Sequence, residues 1–190
     1  MPAPTLTLTG DDAADHLLSD NGFALLVGML LDQQISMELA FVGPQRLAER
    51  LGGQLDPTVV AEQDPAALEE VFRQKPALHR YPGSMAKRVQ ALAAHLVEDY
   101  DGRAEQVWEQ ATDGRDLLRR LKALPGFGDQ KARIFVALLG KQCGVRPEGW
   151  EQAAGEYGEP GHRSIADVSD PESLELVRDF KRARKAADRD

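Results

Sequence analysis

Apolar residues recur along the chain at intervals of three and four, and no segment combines strict alternation with β-branched enrichment and turn flanks. The pattern predicts an all-α fold. Periodicity and punctuating residues place helices over about 11-19, 21-35, 37-52, 57-63, 65-74, 84-100, 104-110, 114-123, 129-142, 148-155 and 171-187. Pro44 falls inside the third of these and is expected to kink or restart it. Pro82 and Gly83 read as a turn, with Ser84 placed to cap the helix that carries Lys87 and Arg88, and residues 155-161, with Pro160, read as a loop. The longest apolar run, 23-31, is too short to span a bilayer.

One connection between helices stands out. Residues 121-133 read Leu-Lys-Ala-Leu-Pro-Gly-Phe-Gly-Asp-Gln-Lys-Ala-Arg, so Gly126 and Gly128 flank one apolar residue, and Asp129 opens the next helix. Two glycines leave bare amides beside a helix N-terminus whose dipole favours an anion. The arrangement resembles a helix-hairpin-helix, which would hold a DNA phosphate through its main chain. Arg119, Arg120, Lys122, Lys131 and Arg133 stand around it against Asp129, which reverses the local sign of charge.

Composition restricts how such a protein can meet DNA. A formal charge of -8 and a pI near 5.1 exclude a chain that coats nucleic acid through its overall field, so the contact must be local. Cys143 is the only cysteine, which excludes an internal disulfide and a four-cysteine zinc or iron-sulfur site within the chain. His16, His79, His95 and His162 have no ligand spacing. The first residues lack the basic start of a secretory signal, and the expectation is a soluble, monomeric, cytoplasmic protein without membrane contact, nucleoid-associated when bound to double-stranded DNA. The tail, 181-190, holds five basic and two acidic residues and reads as a solvated final helix.

Two further segments flank the hairpin reading. Phe-Ala-Leu-Leu-Val-Gly-Met-Leu-Leu-Asp-Gln-Gln-Ile-Ser, 23-36, is an apolar helix ending in adjacent amides, and Tyr-Pro-Gly-Ser-Met-Ala-Lys-Arg-Val, 81-89, opens another helix with a basic edge. In this order and spacing the three resemble the helix-hairpin-helix (HhH-GPD) base-excision DNA glycosylase superfamily, which includes endonuclease III and 3-methyladenine DNA glycosylase II. The resemblance is nearest to small bacterial members without an iron-sulfur cluster. It covers about 20-150 and implies two packed helical subdomains with a cleft, within a single unit 1-190 whose residues 151-190 form a loop and helix packing back on the core.

The resemblance also implies roles. Such enzymes flip a damaged or mispaired base out of the duplex, and the residue matching the side chain that fills the gap is Gln34, beside Gln33. Lys87 and Lys131 would face phosphates. The carbonyls of Lys122, Leu124 and Phe127 would hold a monovalent cation, Na+ or K+, while amides near Gly126 and Gly128 take the phosphate; no other cofactor is required. Members that cleave the strand carry a lysine two positions after the second hairpin glycine, a position held here by Gln130. Sliding the alignment to Lys131 would rotate the side chain by about 100° on the helix and lose the match at Ala132. A monofunctional N-glycosylase without lyase activity is therefore expected, using water as nucleophile. Its carboxylate falls, counting eighteen positions on from Gln130, at Glu148, with Asp167 as rival. Tyr81 and Trp150 are the aromatic candidates for the base pocket. The alternative is a non-catalytic DNA-binding protein that keeps the hairpin.

Overall fold

The computed structural model describes residues 5-189, and its architecture is set by a helix with no polar face. All ten residues of α2 (Gly22–Leu31) are buried, and a helix apolar on every side has nowhere to go but the interior. α1 (Asp12–Asp20) and α3 (Met37–Arg50) pack against it. At Gly28 the approach is so close that a Cβ would lie 2.5 Å from the Phe41 ring of α3. Asn21 fixes the entry to α2, its side-chain oxygen accepting from the Ala24 amide while its Nδ2 donates to the Leu55 carbonyl at 2.9 Å.

Two groups of helices meet α2. In one, α4 (Pro57–Ala61) and α5 (Pro65–Arg73) lie on α6 (Pro82–Tyr100). All three begin with proline in the first turn, where its missing N–H costs nothing. In the other, α8 (Gly114–Lys122) and α10 (Trp150–Ala154) pack on α9 (Asp129–Gln142), with the single turn α7 (Gln106–Glu109) beside α8. Two 3-10 turns, Gly155–Gly158 and Ile165–Asp167, lead to α11 (Pro171–Ala187). α2 touches both α6 and α9, and one continuous apolar core runs through all of them. Among the described residues no strand occurs and no helix is long and apolar enough to cross a membrane.

Four local readings need correction. α2 ends at Leu31 rather than near 35, because the chain leaves the helix at Asp32 (φ -73, ψ 69) and turns left-handed at Gln34 (φ 59). α3 runs unbroken through Pro44, since the loss of one N–H is outweighed by a buried face on both sides of it. α6 starts at Pro82, two residues before the expected cap; Tyr81 takes the N-cap position and Ser84 lies inside the first turn. Residues 155-161 are not wholly loop but open with the first 3-10 turn.

Trp150 is also relocated, from a base pocket to the packing of α9. A Cβ on Gly140 would fall 2.3 Å from its ring, so the indole packs against the glycine, with the Arg146 guanidinium 6.0 Å from the ring centre. Gly140→Ala is expected to force that ring off its seat and to cost about 1–3 kcal/mol in denaturant unfolding. Unchanged stability would show that the indole does not depend on this contact.

Candidate nucleic-acid interface

The three segments singled out in the sequence are far apart in the chain and are drawn together by a few polar bonds. Lys131, in the first turn of α9, extends its ammonium to the main-chain carbonyls of Met29 (2.6 Å) and Asp32 (3.0 Å) at the end of α2. Among the described residues the Asp32 carbonyl accepts no main-chain hydrogen bond, and that of Met29 accepts only a long one from the Asp32 amide at 3.3 Å, so Lys131 completes the cap of α2 from across the fold. Burial pushes its amine down to about 8, against the opposing pull of Asp32. The sequence reading of Lys131 as a phosphate-facing cation does not hold, because its donors point inward. The hairpin lies on the same helix: a Cβ on Gly126 would come within 2.9 Å of Leu30.

A second tie brings in the segment before α6. The Nε2 of buried His79 donates to the Gln33 carbonyl at 2.9 Å, and its Nδ1 accepts from the Tyr81 amide at 2.9 Å, which fixes the neutral tautomer. Arg88 adds a bond to Gln33 Oε1 at 3.1 Å. The hairpin, the turn bearing Gln34 and the turn bearing Tyr81 therefore form one surface. On it Gln34 is exposed and its side chain makes no hydrogen bond with the described residues, and its left-handed backbone stores of order 1 kcal/mol of strain. Tyr81 is 44 % exposed, its ring tilted against His79 and carrying Arg80 at 5.7 Å. Lys87 projects into solvent from the first turns of α6.

At the hairpin the two glycines serve different ends. Gly126 takes φ +85, which favours glycine, whereas Gly128 has an ordinary extended backbone (φ -82, ψ -177) and open space where a Cβ would be. Gly128 is thus a bare N-cap, without a side-chain bond to the first amides of α9. Leu124 and Phe127 are buried, Phe127 edge-on to Phe135, so both can meet DNA only through their main chain. Among the described residues the carbonyls of Lys122 and Phe127 accept no main-chain hydrogen bond, while that of Leu124 accepts from the Phe127 amide. The local basic excess is smaller than the sequence suggests: Arg119 and Arg120 pair with Asp116, and Lys122 and Arg133 with Asp129. The two arginines hold the Asp116 carboxyl far below its usual range.

A family model for the HhH-GPD superfamily of base excision DNA repair proteins matches residues 27-186. The chain belongs to that superfamily. No curated protein and no solved structure matches it. Membership places this HhH-GPD protein in base excision DNA repair.

α11 lines two cavities, one with Ile35 and Met37 and one with Gln130 and Tyr157, and ion pairs fasten it to the neighbouring elements. Arg178 meets Glu38, Lys181 meets Asp32 at 3.5 Å and Arg184 meets Glu156 at 2.7 Å. The described part of the tail, 181-189, is exposed as expected, with Lys181 and Arg184 tied back by ion pairs; Asp190 lies outside the described residues. Gln130 faces the cleft and donates to the Tyr157 hydroxyl at 3.0 Å. The two carboxylates expected there are elsewhere. Asp167 closes a capping box on Ser164 and binds Lys141 at 2.7 Å, so its oxygens are occupied. Glu148 is exposed, and its carbonyl accepts from the Gly114 amide at 2.7 Å, which puts it at the end of α8 remote from the hairpin, about 13 Å along a nine-residue helix. It lines a different cavity, with Asp113, Arg115 and Arg133.

Sequence reasoning missed His79. A histidine two positions before the Tyr-Pro-Gly turn was the only available signal, and nothing short of the fold shows which helix end it reaches. Burial, the first cause, lowers the His79 pKa below its ordinary 6.5. The neutral ring is therefore favoured in the folded protein, and stability should fall as pH drops below 6.5, where the unfolded chain takes up a proton that the folded one resists. His79→Asn is expected to remove this acid-side slope, measured by urea unfolding between pH 7 and pH 5; an identical slope in the variant would contradict the assignment.

Proposed function

We propose that this protein is a monofunctional DNA N-glycosylase that hydrolyses the N-glycosidic bond of a damaged or mispaired base in double-stranded DNA and does not cleave the strand. The observation that carries the reading is the first turn of α9. Gln130, at the position where a lyase needs an amine, presents a carboxamide already bonded to Tyr157. The adjacent amine of Lys131 is committed to the carbonyls of Met29 and Asp32. Neither side chain can attack C1′ of a sugar held in the cleft, so water is the nucleophile.

The rest of the surface supports DNA as the partner. The bare amides after Gly128, at the start of a 14-residue helix, receive a phosphate, with Lys87 contributing a second contact. Gln34 enters the duplex, and its strained, exposed position suits a side chain that must project beyond its neighbours. Tyr81 stacks on a base. The carbonyls of Lys122, Leu124 and Phe127 take Na+ or K+, which would draw the hairpin into register with the phosphate. The protein works as a monomer, on DNA in the cytoplasm.

Single-turnover incubation with duplexes carrying alkylated, oxidised, deaminated or mismatched bases is expected to release a free base from at least one class and leave an intact abasic strand. Borohydride should trap no covalent adduct with an abasic duplex; a trapped adduct would overturn the monofunctional reading. Gly128→Ala should weaken duplex binding about tenfold, the equivalent of one charge-assisted hydrogen bond. Its melting temperature should not change, because the added methyl group meets nothing.

A further inference from the structure

We propose that a row of cations along the last turns of α11 is a second DNA contact, which takes phosphates of one strand beside the Gln34 turn; the inference rests on the reading of duplex DNA as the partner. Between 178 and 189 the chain carries six basic and two acidic residues, in a protein whose formal charge is -8. Arg178, Lys181, Arg182 and Lys185 recur at intervals of three and four, which puts them on one face of the helix. Arg189, just past the last turn, continues the row, while the acids Asp179 and Asp188 lie to either side of it. From 181 onward every described residue is exposed.

Neither the helix dipole nor ion pairing accounts for this row. A cation serves the dipole only within the last turn, and that turn holds Arg184 and Lys185, whereas the row begins about two turns earlier at Arg178. Lys185 and Arg189 have no ion pair among the described residues, and Arg182 meets only Asp179 of its own helix, with side chains 71 % and 65 % exposed, a pair that water screens. The inner members do a different job. Arg178 on Glu38 and Lys181 on Asp32 hold the helix in place and so fix where the outer cations stand.

Placement identifies the partner. Asp32, which Lys181 meets, lies two residues before Gln34, and Lys181 and Arg182 share with Ile35 and Ser36 the wall of a cavity of about 460 Å³. Lys185 lines a second cavity, of about 210 Å³, with Gln130 in the first turn of α9. The row thus runs from the turn bearing Gln34 toward the helix that carries the hairpin. A partner here must be anionic, extended and already present at this surface, which describes a phosphodiester strand. From Arg178 to Lys185 the row is about 10 Å long, and a duplex strand presents a phosphate about every 3.4 Å along its axis, so about three phosphates fit alongside.

The two contacts divide the work. At the hairpin Arg119, Arg120, Lys122 and Arg133 are answered by Asp116 and Asp129, and the amides after Gly128 orient a phosphate without a charge of their own. α11 supplies the cations whose pairing with phosphate releases counterions, and with them the salt-sensitive part of the attraction.

Arg182→Gln combined with Lys185→Gln tests the assignment, read as affinity for an undamaged duplex oligonucleotide across a salt series, with melting temperature alongside. Binding is expected to weaken about tenfold or more at about 0.1 M salt, and the slope of log affinity against log salt to fall by about two, at the parental melting temperature. Arg103→Gln combined with Arg115→Gln removes the same charge from exposed positions outside the row and should keep the parental slope. A parental slope in the first pair, or an equal fall in the second, overturns the assignment and leaves the hairpin as the DNA contact. Should the first pair fail to fold, Lys185→Gln alone must lower the slope by about one; an unchanged slope there overturns the assignment. A parent protein with no measurable affinity for duplex overturns the DNA reading and this one with it.

Discussion

The ammonium of Lys131 on the last carbonyls of α2 is the contact on which the interface depends. A helix buried on all sides still ends, and its terminal carbonyls must be satisfied where little water reaches them. A side chain from α2 itself could not do this without turning the chain away from the core. A lysine from α9 reaches across and does two things at once: it closes the helix at Leu31, and it sets the hairpin against the turn that carries Gln34. The price is a buried cation, visible in an amine pushed down to about 8. His79 repeats the device on the other flank with a neutral ring, tying the Tyr81 turn to Gln33 without a second buried charge.

An acidic chain with a formal charge of -8 is an unpromising DNA ligand if binding is thought of as charge against charge. The hairpin avoids that difficulty because main-chain amides and a helix dipole carry no counter-charge to be neutralised elsewhere. The arginines and lysines around it mostly answer nearby aspartates, so Asp116 and Asp129 convert what reads as a basic patch into a set of ion pairs, half-buried at Asp116 and exposed at Asp129 beside the hairpin. Exposed pairs of this kind are weak and screened by salt. A phosphate approaching Gly128 therefore competes for cations that are only lightly held.

Much of this was legible in the sequence. The bounds of α9 and α11 follow from period and caps alone, because Gly128, Gln142, Asp170 and Ala187 mark abrupt changes from patterned to unpatterned residues. The hairpin involves neighbours in the chain, which local rules describe well; the capping box that occupies Asp167 is equally local, yet that aspartate was read as a rival acid. What was not legible is direction over long separations. Lys131 and Met29 are 102 positions apart, and an amphipathic helix containing Lys, Arg and Asp in its first turn gives no sign of which one turns inward. Trp150 was misplaced for the same reason: that its partner is the bare face of Gly140 can be seen only once α10 folds onto α9.

The same limit governs the acid. Counting from Gln130 to Glu148 assumes that the chain after α9 returns to the cleft by a fixed path. Here the Gly114 amide captures the Glu148 carbonyl, and the indole of Trp150 is seated on Gly140, so the segment is pinned to α8 and α9 from both sides. With the segment held there, the cavity beside Gln130 is lined by α9, Tyr157 and the face of α11 instead. Asp32 and Lys181 are 149 positions apart, and only a helix returning from the end of the chain to the first apolar helix could bring them together. The C-terminal helix therefore lines both cavities beside the end of α2, and what can enter them is set as much by α11 as by the hairpin.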